Sequence, residues 1–252
     1  MSDATTAYSS DDVMIVNAAR ALTSDTVCFV GIGLPSTAAN LARRLHAPEC
    51  VLIYESGCIG SKPTRLPLSI GDGELGETSD SVVSVPEIFA YWLQAGRIDV
   101  GFLGGAQLDR FGNINSTVIG AYDAPKTRLP GAGGAPEIAA SARQVYVIMR
   151  QTKRAFVERC DFRSSIGFGE GKGDRERLGL RGGGTQLVVT DLGLLRPDPE
   201  TCELTMVALH PGVTREQASA ATGWDLRFSP DCAATAEPTV GELEALSRLR
   251  AA

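Results

Sequence analysis

Histidine is almost missing from this sequence, with His46 and His210 the two in 252 residues. The six cysteines, Cys28, Cys50, Cys58, Cys160, Cys202 and Cys232, are scattered and include no CxxC pair. These two shortages argue against a zinc site, which draws its ligands from closely spaced Cys and His. No GxSxG motif accompanies the histidines, so a hydrolytic triad has no support and both rings read as structural. Also absent is any apolar run approaching the roughly 18 residues of a membrane span. The opening MSDATTAYSSDD has neither the basic start nor the apolar stretch of a signal peptide. Positive charge is short as well. Lys and Arg total 24 against 30 Asp and Glu, and the net charge of −6 argues against nucleic acid or an anionic membrane as partner. The expectation is a cytoplasmic protein with reduced thiols.

With 43% apolar residues the chain can bury a core without staples, and it reads as a single domain over residues 1–252. Residues 1–11 are polar and predicted to be disordered, and VMIVNAARAL then has helical spacing. VCFVGIGLPSTAANLARRL reads as a strand, a glycine turn and a helix. CVLIYESG and IDVGFLGGAQLD are short apolar strands that end at glycine, and QVYVIMR and TQLVVTD add two more. Such near-continuous apolar strands suit a sheet covered on both faces. The predicted fold is α/β, an open, mostly parallel sheet with helices on both faces. LTMVALHPGVTREQASAATGW reads as strand, turn and helix with Thr214 as N-cap, and residues 238–252 as a C-terminal amphipathic helix. GFGEGKGDRERLGLRGGG, residues 167–184, reads as a long surface loop that could serve as a lid.

Ligands of open α/β sheets bind beyond the carboxyl ends of the strands, where this chain concentrates glycine and small polar residues. Gly31-Ile32-Gly33-Leu34-Pro35-Ser36 could hold an anion or carbonyl oxygen on its backbone N–H groups, or be a plain turn. It lacks the third glycine of GxGxxG, which weakens a nicotinamide reading. Tyr54-Glu55-Ser56-Gly57 places a carboxylate at a strand end, where burial would strip its hydration and sharpen it as a nucleophile. More ordinarily, such a Glu caps a helix or pairs with an arginine. Gly104-Gly105-Ala106-Gln107, continuing through Asn113 to Thr117, is by itself a polar hairpin. Gly131-Ala132-Gly133-Gly134-Ala135 is either a flexible loop or a bare backbone offering oxyanion donors. Arg43, Arg44, Lys153 and Arg154 read as solvated cations that could alternatively meet phosphates.

In this order, GIGLPS, ESG, GGAQLDRFGNINST and PGAGGA, with the later GDRERLG, resemble the β half of family I coenzyme A transferases over roughly residues 12 to 228. The family includes enzymes for glutaconate, 3-oxoacids and 3-oxoadipate. VCFVGIGLPSTAANLAR, LPLSIGDGEL, RLPGAGGAPEIA and ALHPGVTREQ look most like the 3-oxoadipate group of the glutaconate-transferase-like branch.

That resemblance implies an active site shared with a separate α subunit, in an αβ heterodimer or an α2β2 heterotetramer. It implies Glu55 as nucleophile, succinyl-CoA as donor, 3-oxoadipate as acceptor and a glutamyl-CoA thioester between two half-reactions. Gly133 and Gly134 match the family's oxyanion loop. Gly31, Gly33, Gly105, Gln107 and Asn113 fall in stretches assigned to CoA or oxyanion binding. Coenzyme A enters as substrate, and no metal or redox cofactor is expected. Glutaconate or another acid remains an alternative acceptor. A ring-cleaving hydrolase of the same fold is a further alternative, although those enzymes depart from the glutamate motif retained here.

Overall fold

The computed structural model describes residues 8–251. Eight helices are α1 (Ser10–Arg20), α2 (Leu34–Leu45), α3 (Gly73–Glu77), α4 (Val85–Glu87), α5 (Ala135–Ser141), α6 (Asp174–Arg177), α7 (Arg215–Ala220) and α8 (Val240–Ala251), and a π-helical turn, Ile88–Leu93, extends α4. The strands entering the main sheet first are β1 (Val27–Phe29), β2 (Val51–Ile53), β3 (Cys58–Ile59), β4 (Ser81–Val82) and β5 (Val100–Leu103). Next come β6 (Gln107–Asp109), β7 (Ile114–Asn115), β8 (Val118–Ala121), β9 (Ala124–Arg128), β10 (Gln144–Ile148) and β11 (Phe156–Val157). The last are β12 (Thr185–Val189), β13 (Gly193–Pro197), β14 (Leu204–Leu209) and β15 (Phe228–Ala234).

Ten strands form one sheet in the order β15-β14-β13-β12-β10-β5-β1-β2-β3-β4. Its centre, from β12 to β2, is parallel throughout, while β3, β4, β13 and β14 add antiparallel margins. Successive strand side chains point to opposite faces, and here they feed two cores. Cys28, Leu52, Phe102, Tyr146 and Leu187 pack with α1, α2 and α8, whereas Phe29, Ile53, Leu103, Val147 and Val188 pack with α5 and the π-helical turn. The sheet is thus covered on both faces, as the apolar strands predict. β6, β7 and β11 make a small second sheet, and β8 with β9 a two-stranded ribbon.

Ser9 caps α1 through a reciprocal box with Asp12, so the helix already includes residues 10 and 11, which the polar composition assigned to disorder. Residues 1–7 lie outside the described residues. Thr214 caps α7 in a box with Gln217, as expected. α8 begins at Val240 and is tied to α1 by the Arg20–Glu242 and Arg250–Asp12 ion pairs, at 2.7 and 2.6 Å. Among the described residues no helix is long and apolar enough to cross a membrane.

Candidate active site

The ends of β1, β2, β5 and β10 open onto a cleft of about 410 Å³. Glu55 enters it from a tight turn after β2, closed by the Gly57 N–H donating to the Tyr54 carbonyl at 3.0 Å. Gly57 has φ +104°, and the Val83 carbonyl oxygen lies 1.9 Å from where a Cβ would sit, so only glycine fits. Tyr54, fully buried, anchors the near side of the turn: its hydroxyl lies 3.2 Å from Ser36 Oγ and 3.4 Å from Asn40 Nδ2, both on α2. Burial pushes the Tyr54 phenol above its ordinary pKa, against the pull of those two partners. Ser36 of the GIGLPS stretch therefore serves the residue before Glu55 and does not reach the cleft itself.

The Glu55 carboxylate makes no hydrogen bond or ion pair with any described residue, so the capping and arginine-pairing alternatives do not describe it. Across the cleft stands the loop leading into α5. A Cβ added at Gly134 would lie 2.9 Å from Glu55 Oε1 and 2.7 Å from Phe89 Cζ, which places bare backbone against the carboxylate. Gly31 and Gly133 line the same cleft, with Phe102, Ile138 and Ile148 among its apolar walls. Gly33 sits beside it as N-cap of α2 with φ 85°, ψ −136°, a conformation open to glycine. None of the N–H groups of Gly31, Gly33, Gly133 and Gly134 donates to another described residue. An unengaged carboxylate in an apolar cleft that also holds unengaged backbone donors can attack a carbonyl, with donors at hand for the oxyanion that results.

Glu55 is only half-buried, short of the burial expected from its strand-end position. Ile70, which lines the cleft, is exposed, and Leu68, Val82, Val85 and Tyr91 are further exposed apolar side chains between residues 68 and 91, Leu68 at 86% and Tyr91 at 62%. Other predicted residues lie elsewhere. Gly105 and Gln107 line a separate cavity of about 580 Å³ together with Arg150 and Arg154. Gln107 is itself buried and committed: its Oε1 accepts from Asn115 Nδ2 at 2.7 Å and from the Asp161 N–H at 3.0 Å. Asn113 is fully buried. Its Oδ1 accepts from the N–H groups of Gly167 and Gly169 at 2.9 and 3.0 Å, and its Nδ2 donates to the Asp109 carboxylate and the Gly169 carbonyl. Burial pushes the Asp109 carboxyl above its usual range despite these donors. The structure thus gives Asn113 a bracing position in place of the CoA-lining one expected from its motif.

Both histidines sit outside the cleft. His210 is buried between Thr235 Oγ1 and the Thr190 carbonyl, at 2.9 and 2.8 Å, and burial holds its pKa below the ordinary value. His46 Nε2 lies 3.1 Å from the Leu22 carbonyl. No group of three or more His, Cys, Asp or Glu among the described residues could hold a metal ion. Phe89 and Ile138 escaped sequence reasoning. Phe89 lies in the π-helical turn, whose register no regular period announces, and Ile138 looks like any core residue of a short helix.

The family described as Coenzyme A transferase matches residues 12–221. This chain belongs to that family. Among coenzyme A transferases it is 60% identical over 97% of its length, and 94% of the relative's, to one of the subunits of 3-oxoadipate CoA-transferase from Pseudomonas knackmussii. It is 40% identical, over 89% of the chain and 86% of the relative, to one of the subunits of glutaconate CoA-transferase from Acidaminococcus fermentans. The crystal structure of glutaconate coenzyme A-transferase from that organism superposes with a TM-score of 0.89, covering 95% of this chain and 93% of that one at 35% identity.

Membership in the coenzyme A transferase family makes the Glu55–Gly134 approach the contact to probe. Gly134 has φ −80°, which alanine tolerates, and the methyl added in Gly134→Ala would press on Phe89 Cζ as well as crowd the carboxylate. The expected result is a folded variant with a modestly lowered melting temperature and transfer slowed on the order of 10²-fold, the scale of an ångström-level misplacement. Thermal melts and single-turnover rates on the same preparation check it. A full-rate variant would show that this contact does not set the geometry.

Proposed function

We propose that this chain is the glutamate-bearing subunit of a transferase that moves CoA from succinyl-CoA to 3-oxoadipate, working with a separate α subunit in a heterodimer or α2β2 heterotetramer. The observation that carries the proposal is the free Glu55 carboxylate against the Gly134 backbone, in a chain 60% identical to one of the subunits of a 3-oxoadipate CoA-transferase.

Glu55 Oε attacks the thioester carbonyl carbon, the C–S bond breaks, and CoA thiolate leaves an acyl-glutamyl anhydride. The thiolate then attacks the glutamyl carbonyl and displaces succinate, leaving Glu55 as its CoA thioester. The carboxylate of 3-oxoadipate attacks that thioester, and the same steps in reverse release 3-oxoadipyl-CoA and regenerate Glu55. Each addition creates an oxyanion, for which the unused N–H groups of Gly133 and Gly134 in the cleft wall are fixed donors. All bonds exchanged belong to carboxyl and thioester groups, so the scheme draws on no metal or redox cofactor. The anhydride must be shielded from water, and a second subunit covering the exposed Ile70 edge of the cleft would shield it. The six unpaired cysteines suit the reducing cytoplasm, where we place the enzyme.

The test is intact-mass spectrometry of the co-expressed two-subunit complex mixed with succinyl-CoA. A CoA adduct on this chain, discharged by 3-oxoadipate as 3-oxoadipyl-CoA, is the expected result. An adduct discharged by glutaconate but not by 3-oxoadipate would keep the transferase and replace its acid. Turnover without any adduct would reject the glutamyl thioester.

A further inference from the structure

The glycine-rich segment 167–184 is fastened at several points, which removes the lid expected from its composition. Gly167 is pressed so closely on Gly112 that a Cβ there would lie 2.3 Å from the Gly112 carbonyl, and Asn113 Oδ1 takes the Gly167 and Gly169 N–H groups. At the other end the Gly182 N–H donates to the Ala140 carbonyl at 2.8 Å. Between them Arg175 is 5% exposed, with no carboxylate partner among the described residues. Its guanidinium spends every nitrogen on carbonyls: Nε on Gly182 at 2.9 Å, Nη1 on Gly167 at 2.7 Å, and Nη2 on Ala139 and Ala140, each at 3.2 Å. Burial lowers the Arg175 pKa, so the site bears a cost that a purely decorative arginine would avoid.

Ala139 and Ala140 belong to α5, which has seven residues and whose first turn starts on the Gly134 carbonyl, accepting from Glu137 and Ile138 at 3.1 Å. A helix this short transmits a shift at its last turn to its first. Ile138 lies flush on β5, where a Cβ at Gly101 would come within 2.4 Å of it, so α5 is seated on the sheet and gripped from behind.

We propose that Arg175 is a positioning residue that clamps the rear of α5 and thereby fixes the Gly133–Gly134 backbone against Glu55. The inference rests on the transferase reading of Glu55. It assigns the GDRERLG stretch a task in catalysis although Arg175 touches no reacting atom.

The experiment compares Arg175→Ala and Arg175→Lys with Arg20→Ala in the two-subunit complex. Arg20 also grips backbone carbonyls, those of Ala236 and Glu237, but joins α1 to α8 far along the chain from the cleft loop. Amide exchange over residues 135–142 reads the clamp, and the single-turnover rate of the Glu55–CoA adduct, taken below each variant's melting temperature, reads its consequence. Arg175→Ala should speed exchange in α5 and slow adduct formation on the order of 10²-fold with little change in KM, ethylguanidinium restoring part of the rate. Arg175→Lys, which keeps the charge and loses the fork of donors, should fold and fall in the same direction. Arg20→Ala should lower the melting temperature and leave the adduct rate at its wild-type value. Unchanged α5 exchange, or an adduct rate equal to wild type in both Arg175 variants, would overturn the inference. If wild type itself forms no adduct, the transferase reading fails separately, and the exchange data alone decide the clamp.

Discussion

Glu55→Ala in the assembled enzyme should lower transfer by roughly 10⁴-fold or more, the scale on which loss of a nucleophile acts, and leave the melting temperature almost where it was. The second half of that expectation is what makes the first informative. Glu55 is half-buried and its carboxylate is bonded to no described residue, and a substitution of that kind stays within about 0.5 kcal/mol of wild type. A large kinetic loss without a stability loss therefore isolates chemistry from folding. Glu55→Asp sharpens the test: it keeps the charge but withdraws the oxygen by one methylene, away from the Gly134 backbone. An intermediate rate is expected, because the attacking atom and the oxyanion donors must be met in one geometry. Turnover surviving in Glu55→Ala would hand the reaction to another nucleophile or to water, and the transferase assignment would fall with it.

Gly57→Ala should unfold the chain at markedly lower temperature, with a loss of about 3 kcal/mol or more, in the range reserved for backbone incompatibility. Two penalties act together. A side chain at φ +104° is strained whatever the space, and its Cβ would lie 1.9 Å from the Val83 carbonyl oxygen, an overlap that only a backbone shift can relieve. That shift must separate the Glu55 turn from the residue that follows β4, whose Val83 N–H donates to the Gly57 carbonyl at 3.0 Å. Differential scanning calorimetry measures the stability loss. Where the variant still folds, its adduct rate should also fall, because Glu55 rides on the displaced turn. A melting temperature equal to wild type would show that the turn yields more easily than its contacts imply.

The parallel centre of the sheet was legible because burial on both faces forces the apolar runs seen in β5, β10 and β12. Thr214 was legible because a capping box is a local device with a fixed spacing. The two-residue strands β3 and β4 and the exposed strand β9 carry no such signal: every residue of β9 is exposed, so no alternation marks it. In the site, Gly31 and Glu55 follow β1 and β2 of one sheet while Gly133 and Gly134 close the loop that enters α5, and each such junction can be read by itself. Gly105, Gln107 and Asn113 belong to one stretch with Gly104, which does line the cleft, but past that point the chain turns into β6 and β7 and leaves it. Asn113 shows a deeper limit. A sequence displays a polar side chain without showing whether its donors and acceptors are free, and here all are spent inside the protein. Arg175 was hidden for the mirror-image reason, since a charged residue in a glycine-rich run reads as solvent-facing.

Leu68, Ile70, Val82, Val85 and Tyr91, exposed apolar side chains between residues 68 and 91, have a consequence for the cell. Until something covers them, a newly made chain carries adhesive apolar surface open to chaperones, to proteases and to other copies of itself. Surplus chains would be removed or would aggregate instead of waiting. A cell making this protein thus gains by synthesising it in step with whatever covers those side chains, and supply of the scarcer chain, more than the promoter strength of this one, would set how much enzyme accumulates.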